Sequence, residues 1–184
     1  MHRKFNILLG FVMGGMGVLA GCGSGSTQTT VIRSGTVSWE NTTGDPARYA
    51  LEDGSLLVLS PKGKITQDIN FDKGKRELTL DGEALLTIPK AEGDTFIIHT
   101  RNLNIVVLAA AKMHIDAYAS SPGESADLLS GKLRVTKSYY SKTDNAVELL
   151  DGGDMIMINR DVDLMEKEKL NSVELSALQK RFER

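Results

Sequence analysis

The chain has 184 residues, of which 41% are hydrophobic and 25% charged, and its formal net charge is −2. Acidic and basic residues are interspersed, so no basic face is expected and no nucleic-acid partner is predicted. A single cysteine excludes an intramolecular disulfide, so packing and backbone hydrogen bonds must hold the fold together.

The N-terminus has the order of an export signal. A basic stretch, His2-Arg3-Lys4, precedes an apolar run over residues 5–18, and Leu19-Ala20-Gly21-Cys22 follows it. The run is shorter than the roughly 20 residues that a membrane-spanning helix needs. We therefore predict that residues 1–21 are a signal peptide that is removed, which leaves enough chain for one domain with its own core.

The segment that ends at Cys22 resembles a bacterial lipoprotein signal, whose lipobox is a leucine, two small residues and an invariant cysteine. That resemblance implies diacylglyceryl transfer to the Cys22 thiol, cleavage after Gly21 and acylation of the new amino group. Several acyl chains on one residue would anchor the protein stably, because each buried methylene contributes about 0.8 kcal/mol. The alternative is a cleaved secretory signal that leaves an incidental free thiol.

Residues 22–30 are predicted to be the lipidated cysteine and a flexible tether, because the residues after Cys22 are small and polar. Such a tether lets the domain stand off the membrane. Gly23 stands where an aspartate would retain a lipoprotein at the inner membrane. The resemblance therefore favours a cell-envelope location at the outer membrane, facing the periplasm.

Residues 31–160 are predicted to form one all-β domain. Short runs of aliphatic and β-branched residues are separated by turn signals, and every second residue is apolar in residues 77–81 and 131–137. The predicted turns are Asp53-Gly54, Pro61-Lys62-Gly63, Lys73-Gly74, Asp81-Gly82, Gly93-Asp94, Ser121-Pro122-Gly123, Ser130-Gly131 and Asp151-Gly152-Gly153.

Residues 161–184 are predicted to be a helical segment with one or two helices. Asn171 and Glu174 have the spacing of a capping box, and an apolar stripe follows at helical spacing. The stripe consists of Leu175, Leu178 and Phe182. The favoured interpretation is that it docks on the β domain, and a partner-binding helix is the alternative.

Several of these motifs together resemble the FecR domain over about residues 47–158. Leu51-Glu52-Asp53-Gly54-Ser55 is similar to the opening Leu-x-Asp-Gly-Ser of that domain. Residues 76–84, Arg-Glu-Leu-Thr-Leu-Asp-Gly-Glu-Ala, are similar to its Arg-x-Val-x-Leu-x-Gly-Glu-Ala motif. Further similarities lie at residues 96–100, 130–135 and 147–152.

The resemblance implies a two-layered, twisted, solenoid-like or sandwich-like β domain with a short C-terminal helical tail. In well-known members the domain is the periplasmic part of a transmembrane sigma-factor regulator. A processed lipoprotein would leave no segment across the inner membrane, so direct sigma-factor control is not expected here. The family's Gly-Thr-x-Phe is replaced by Ala110-Ala111-Lys112-Met113. Because alanine does not easily adopt positive φ, we expect the bend there to be reshaped or lost.

The sequence contains no nucleophile elbow, phosphate-binding loop, zinc-protease motif or Cys-x-x-Cys, so we predict a protein that is not an enzyme and has no cofactor or metal site. His99 and His114 lie in predicted strands and are interpreted as surface or hydrogen-bonded residues, not as ligands. Residues 151–154 are interpreted as a turn and not as a calcium loop. Glu83 is interpreted as a solvated strand-edge acid, with a pair to Arg76 as the alternative.

These features favour a membrane-anchored, non-catalytic binding or sensing module of the cell envelope. We expect it to contact the membrane through its lipid anchor and an unidentified envelope protein through its sheet surface or strand edges. The alternative is a binder of envelope glycans or lipid headgroups, which should carry clustered aromatic residues on an exposed face. Aromatic residues are few, and the tryptophan and tyrosines are scattered: Trp39, Tyr49, Tyr118, Tyr139 and Tyr140.

Overall fold

The computed structural model describes residues 28–33, 35–68, 71, 76–89 and 95–182. Within them lie fourteen β-strands and one helix. The strands are β1 (Gln28–Arg33), β2 (Thr36–Asn41), β3 (Ala47–Ala50), β4 (Leu56–Leu59), β5 (Lys64–Asp68), β6 (Arg76–Ile88), β7 (Phe96–His99), β8 (Leu103–Val107), β9 (Ala111–Ala117), β10 (Gly123–Ser130), β11 (Lys132–Lys137), β12 (Glu148–Asp151), β13 (Asp154–Asn159) and β14 (Leu164–Lys169). The helix is α1 (Ser172–Phe182).

The strands form two layers that share one strand. Sheet A has the order β1-β2-β5-β6-β7-β8-β11-β12, and sheet B has the order β3-β4-β6-β9-β10-β13-β14. Strand β6, with 13 residues, belongs to both: its first half pairs with β5 and β7, and its second half with β4 and β9. The β6–β7 pair is parallel, and the other described pairs are antiparallel.

One core lies between the layers. Burial alternates along β6, so that every second side chain from Arg76 to Ile88 is buried, as expected for strands with one covered face. Both sheets contribute the fully buried members of this core, which include Leu57, Leu59, Ile65, Phe71, Leu78, Leu80, Phe96, Ile98, Ile105 and Met113. The predicted all-β, two-layered domain with a short C-terminal helix is confirmed.

Successive strands enter the two sheets in pairs, which gives the solenoid-like path. Strands β7 and β8 lie in sheet A, β9 and β10 in sheet B, β11 and β12 in sheet A, and β13 and β14 in sheet B. The chain therefore passes between the two layers repeatedly, and it changes sheet at short passages between these strand pairs.

Two predicted turns are passages between the sheets and not chain reversals. Gly82 lies inside β6 with φ +128°, and Gly131 separates β10 from β11 with φ +110°. A Cβ on Gly82 would lie 2.5 Å from the Gly63 Cα, and one on Gly131 would lie 2.4 Å from the Ala110 carbonyl oxygen. The sequence predicted turns here. Both glycines have positive φ, which glycine adopts without a Cβ penalty, and this conformation redirects a strand.

Other predicted turns are found where the sequence placed them. Gly54 has φ +83° in the connection before β4, and Lys62 has φ +65° between β4 and β5. Residues 121–122 lie between β9 and β10, and residues 152–153 join β12 to β13. The predicted turns at residues 73–74 and 93–94 lie outside the described residues.

The bend at the Ala110-Ala111 departure from the family pattern is present. Residues 108–110 carry the chain from β8 in sheet A to β9 in sheet B, and neither alanine has positive φ. Met113 is fully buried in the core. The expectation was that this bend is reshaped or lost. It is not lost, and it is made without a left-handed residue.

Both ends of the β domain differ from the predicted boundaries. Strand β1 begins at Gln28, so the last residues assigned to the tether pair with β2, where β-branched Thr29 and Thr30 suit a strand. Residues 164–169, assigned to the helical segment, form β14 against β13. Helix is found from Ser172 only, because pairing with the exposed edge of β13 overrides the helix propensity of Glu and Lys.

Candidate functional site

The two most specific sequence motifs meet in a buried ion pair. Asp53 Oδ2 accepts hydrogen bonds from Arg76 Nη2 at 2.5 Å and from Nε at 3.0 Å, and both side chains are at most 3% exposed. Asp53 also accepts from the Ser55 backbone N–H and hydroxyl, at 2.9 and 2.8 Å. The guanidinium stacks over Phe96, 5.1 Å from the ring centroid. These motif residues therefore lock the turn before β4 onto the start of β6.

Glu83, from the second motif, takes part in a polar network on the outer face of sheet B. Its Oε1 lies 2.9 Å from His114 Nε2 and accepts a short hydrogen bond from Arg181 of α1. On the other side of the ring, His114 Nδ1 lies 2.9 Å from Asp127 Oδ2. Neither interpretation of Glu83 from sequence holds: it is half-buried in a central strand, and Arg76 pairs with Asp53.

This network shifts the ionisation of Glu83. Burial raises its pKa, but hydrogen bonds from Arg181, His114 and Ser60 outweigh burial and bring the pKa from 4.5 down to about 2. Glu83 is therefore an anion at neutral pH, bound to a cation of α1. It does not have the raised pKa of a general acid.

Helix α1 docks over this network. Asn171 caps its first turn by accepting from the backbone N–H groups of Val173 and Glu174, and Glu174 accepts from the Asn171 N–H in return. Leu178 is buried, and a cavity of about 240 Å³ beside it is lined by residues of β10, β13 and α1. The predicted capping box and the docking of the helical stripe on the β domain are confirmed.

A second depression lies on the outer face of sheet B, among residues of β9, β10, β13 and β14. It has a volume of about 370 Å³ and an apolar floor with acidic groups around it. Its lining includes Asp116, Ser125, Met157, Leu164 and Glu166. A third, of about 390 Å³, lies near the C-terminal end of α1 and contains Arg48, Val58, Leu85 and Arg181. Sheet B is thus covered in part by its own helix.

The outer face of sheet A is not covered by the helix and divides into two strips. Cross-strand register places one polar row over six strands: Ser38, Thr66, Thr79, His99, Asn104 and Thr136. The neighbouring row contains Ile97, Val106, Arg134 and Leu149. Leu108 and Leu149 are about half exposed, so this strip presents aliphatic surface to solvent.

The two histidines do not converge. His99 lies in sheet A with Nδ1 2.7 Å from Asn104 Oδ1, whereas His114 lies in sheet B. Over the described ranges, His, Asp and Glu side chains form no group of three or more that could hold a metal ion. Both histidines have the hydrogen-bonded role that was favoured from sequence.

Other carboxylates of the domain also have structural partners. Glu124 Oε2 accepts from the Thr100 hydroxyl and the Asn102 N–H. Asp163 accepts from Lys137, Tyr139, Ser141 and Thr143, and these hydrogen bonds, led by that of Ser141, lower its pKa. Burial raises the pKa of Asp154, but Lys169 and its neighbours lower it overall. These carboxylates hold loops and strands together.

The aromatic residues do not form an exposed platform within the described part of the chain. Trp39 and Tyr49 pack against each other at 6.1 Å between centroids, and Tyr49 is buried. Tyr118 donates to the Pro61 carbonyl, and Tyr139 lies beneath the Arg160 guanidinium. Tyr140 alone among these five is largely exposed.

Several residues of these sites escaped the sequence analysis. Asp127 and Arg181 lie in no motif, and Arg134 stands at a variable position of one. The neighbours of Asp127 and Arg134 depend on strand register, and those of Arg181 depend on where α1 docks. The only available signal was the period of two, which places Asp127 and Arg134 on outer faces. Cys22, the predicted lipidation site, and the predicted signal peptide lie outside the described residues. No helix that the structure describes is long and apolar enough to cross a bilayer.

The fold and these contacts define a two-layered β domain whose buried ionisable residues act in structural pairs. The chain belongs to the FecR family: the family described as FecR protein matches residues 32–134. Members of this family are generally non-enzymatic regulators. A search of curated proteins finds no match.

Solved structures share the fold. Two crystal structures from Parabacteroides distasonis ATCC 8503, each described as a candidate anti-sigma factor, match with TM-scores of 0.67 and 0.64. Their sequence identities are 20% and 22%, over 78% and 74% of this chain. The chain spans 64% and 61% of those proteins, somewhat less than two thirds of their length. At this identity the likeness concerns the fold.

Proposed function

We propose that this protein is a lipid-anchored, non-catalytic binding or sensing module of the cell envelope, which acts through protein–protein contacts and is accessory to envelope signalling. Membership in the FecR family supports a regulatory and not an enzymatic role. The lipobox-like sequence that ends at Cys22 supports the anchor, and Gly23 after it favours the outer membrane, facing the periplasm.

The observation that carries this proposal is the structural role of the residues in the family motifs. Asp53, Arg76 and Glu83 are the charged residues at the fixed positions of the two motifs at residues 51–55 and 76–84, and all three are bound in ion pairs that hold turn, strand and helix together. A hydrolase would need a base or nucleophile poised in a cleft. Here the motif residues build the domain, and the sheet faces remain as the surfaces through which it can act.

The signalling part of the proposal draws on the structural neighbours. Those proteins are described as candidate anti-sigma factors, and their shared fold is consistent with a sensing role for this chain. A lipid-anchored form would contribute at the periplasmic side by contacting another envelope protein, since lipid chains do not connect it to the cytoplasm.

The anchor is tested by a Cys22→Ala variant expressed in cells, with Ser24→Ala as the matched control. We expect wild type and the control to fractionate with membranes and to carry an acylated cysteine as the mature N-terminus in mass spectrometry. The Cys22→Ala protein should lose acylation and leave the membrane fraction. Identical fractionation of all three proteins would remove the anchor from the proposal.

The binding role is tested by crosslinking in intact cells followed by purification of the native lipoprotein. A reproducible adduct with one envelope protein is expected. Selective recovery of purified glycan or anionic vesicles, with no protein adduct, would instead support the binder of glycans or lipid headgroups.

A further inference from the structure

We propose that the outer face of sheet A docks a partner protein through an aliphatic patch centred on Arg134, and that the partner supplies a carboxylate to this guanidinium. This patch consists of Ile97, Val106, Leu108 and Leu149 around Arg134. The inference rests on the proposed function and names its contact surface and the chemistry of the partner.

The arrangement of the patch follows from register. Arg134 lies directly opposite Val106 on β8 and opposite Leu149 on β12, and Val106 lies opposite Ile97 on β7. Side chains opposite each other in antiparallel strands have Cβ atoms about 4.5–5.5 Å apart. The guanidinium therefore has aliphatic neighbours on both sides.

Arg134 differs from the charged residues around it. Lys132 pairs with Asp151 at 3.1 Å, and Glu77 lies 3.7 Å from His99. Arg134 is exposed and has no ion pair within the residues that the structure describes. An arginine amid aliphatic side chains, with no carboxylate opposite, is complementary to an acidic group on another molecule.

The exposure of the aliphatic residues supports a protein partner. Leu108 is 49% and Leu149 53% exposed, and they adjoin the half-buried Val106 and Ile97. Exposed apolar patches on small domains commonly mark interaction sites, and arginine is enriched among residues that dominate binding energy. A carboxylate flanked by aliphatic side chains would satisfy both parts of this surface.

The partner is expected to lie across the face of the sheet and not to add a strand at its edge. Strand β12 forms the edge of sheet A next to the patch, but Lys167 from β14 donates to the Leu149 carbonyl at 2.9 Å. A lysine at an edge blocks further strand pairing. On the opposite layer, α1 already occupies part of the outer face of sheet B. The outer face of sheet A is not covered by this helix.

The test places a photo-crosslinking amino acid at Leu149 in the native lipoprotein in cells, with the same group at Thr66 as the matched control on the polar strip. We expect an adduct with an envelope protein from position 149 and not from position 66. Peptide mapping should find an Asp or Glu flanked by aliphatic residues at the crosslinked segment of the partner.

Charge reversal supplies the second readout. Arg134→Glu should lower the adduct yield by about tenfold or more, whereas Lys112→Glu, a charge reversal at an exposed position of sheet B with no acidic residue opposite, should leave it within about twofold. Replacing the mapped carboxylate of the partner by lysine should restore the adduct with Arg134→Glu. Because Arg134 is exposed, the circular dichroism and melting temperature of the variant should match wild type.

Other outcomes overturn the inference. An adduct with a second copy of this chain, with lipid or with glycan contradicts the stated partner, and so does a mapped segment without a carboxylate. A protein adduct that arises only from other surface positions refutes this surface but leaves the proposed function intact. Absence of protein adducts from every surface position would refute both.

Discussion

Removing one charge from the buried Asp53–Arg76 pair should destabilise the domain strongly. Asp53→Asn keeps the shape of the side chain but removes the carboxylate that pairs with the buried guanidinium of Arg76, which is 2% exposed. Breaking a buried ion pair in this way typically costs about 3–5 kcal/mol, a large part of the roughly 5–15 kcal/mol that stabilises a domain. The variant is therefore expected to unfold at much lower urea concentration than wild type.

The assay is equilibrium urea unfolding of the purified protein, followed by the fluorescence of Trp39, the single tryptophan. Arg76→Met, alone and combined with Asp53→Asn, completes a double-mutant cycle. Because the double variant removes both charges of the pair, we expect it to be more stable than Asp53→Asn, with a coupling energy of about 2–3 kcal/mol. Glu77→Gln, the exposed neighbour on β6, serves as control and should change stability by less than about 0.5 kcal/mol.

Two results would refute this reasoning. If Asp53→Asn lowers the free energy of unfolding by less than about 1 kcal/mol, the guanidinium is solvated or bound by another acceptor in the variant. Purely additive single effects in the double variant would mean that the two motifs are not energetically coupled, and that their contact does not explain why both occur in the chain.

Three further predictions concern the sheet passage, the polar network and the helix. Gly82→Ala should lower the free energy of unfolding in urea by about 2–4 kcal/mol, because the added Cβ would clash with backbone at positive φ. Gly44→Ala, with open space around it, should leave that free energy nearly unchanged. Equal effects of the two changes would contradict the geometry of the passage at Gly82. The pKa of Glu83 is lower in the folded state than its ordinary 4.5, so its stabilisation is present above pH 4.5 and lost as pH falls toward 2. Glu83→Gln should reduce the slope of stability against pH in that window, and an unchanged slope would exclude the ion pair with α1. Asn171→Ala should lower the free energy of unfolding by about 1 kcal/mol and increase amide hydrogen exchange in α1 but not in β9. An equal increase of exchange in α1 and β9 would contradict a local capping role for Asn171.

The network beneath α1 shows why the Glu83 position was misread. Along the chain, Glu83 follows a glycine and precedes an alanine, which reads as the polar face of an exposed strand. Its partners His114 and Arg181 are 31 and 98 residues away. No local pattern records that a terminal helix will return and place a cation over this position.

The amino-acid sequence alone established that the domain is all-β, because alternation of period two and frequent turn residues are local properties of the chain. It also predicted the capping box at Asn171 and a change of chain direction at Gly54, Gly82 and Gly131, since these too depend on a few adjacent residues.

Tertiary structure decided the rest. Whether a positive-φ glycine reverses the chain or passes a strand from one sheet to the other depends on what packs against it, as Gly63 does against Gly82. Strand β14 exists because β13 offers it an edge, and Arg134 becomes a candidate docking residue only through its cross-strand neighbours. Such pairings join residues far apart in sequence, and their free energy comes from burial and register, which no short window of residues contains.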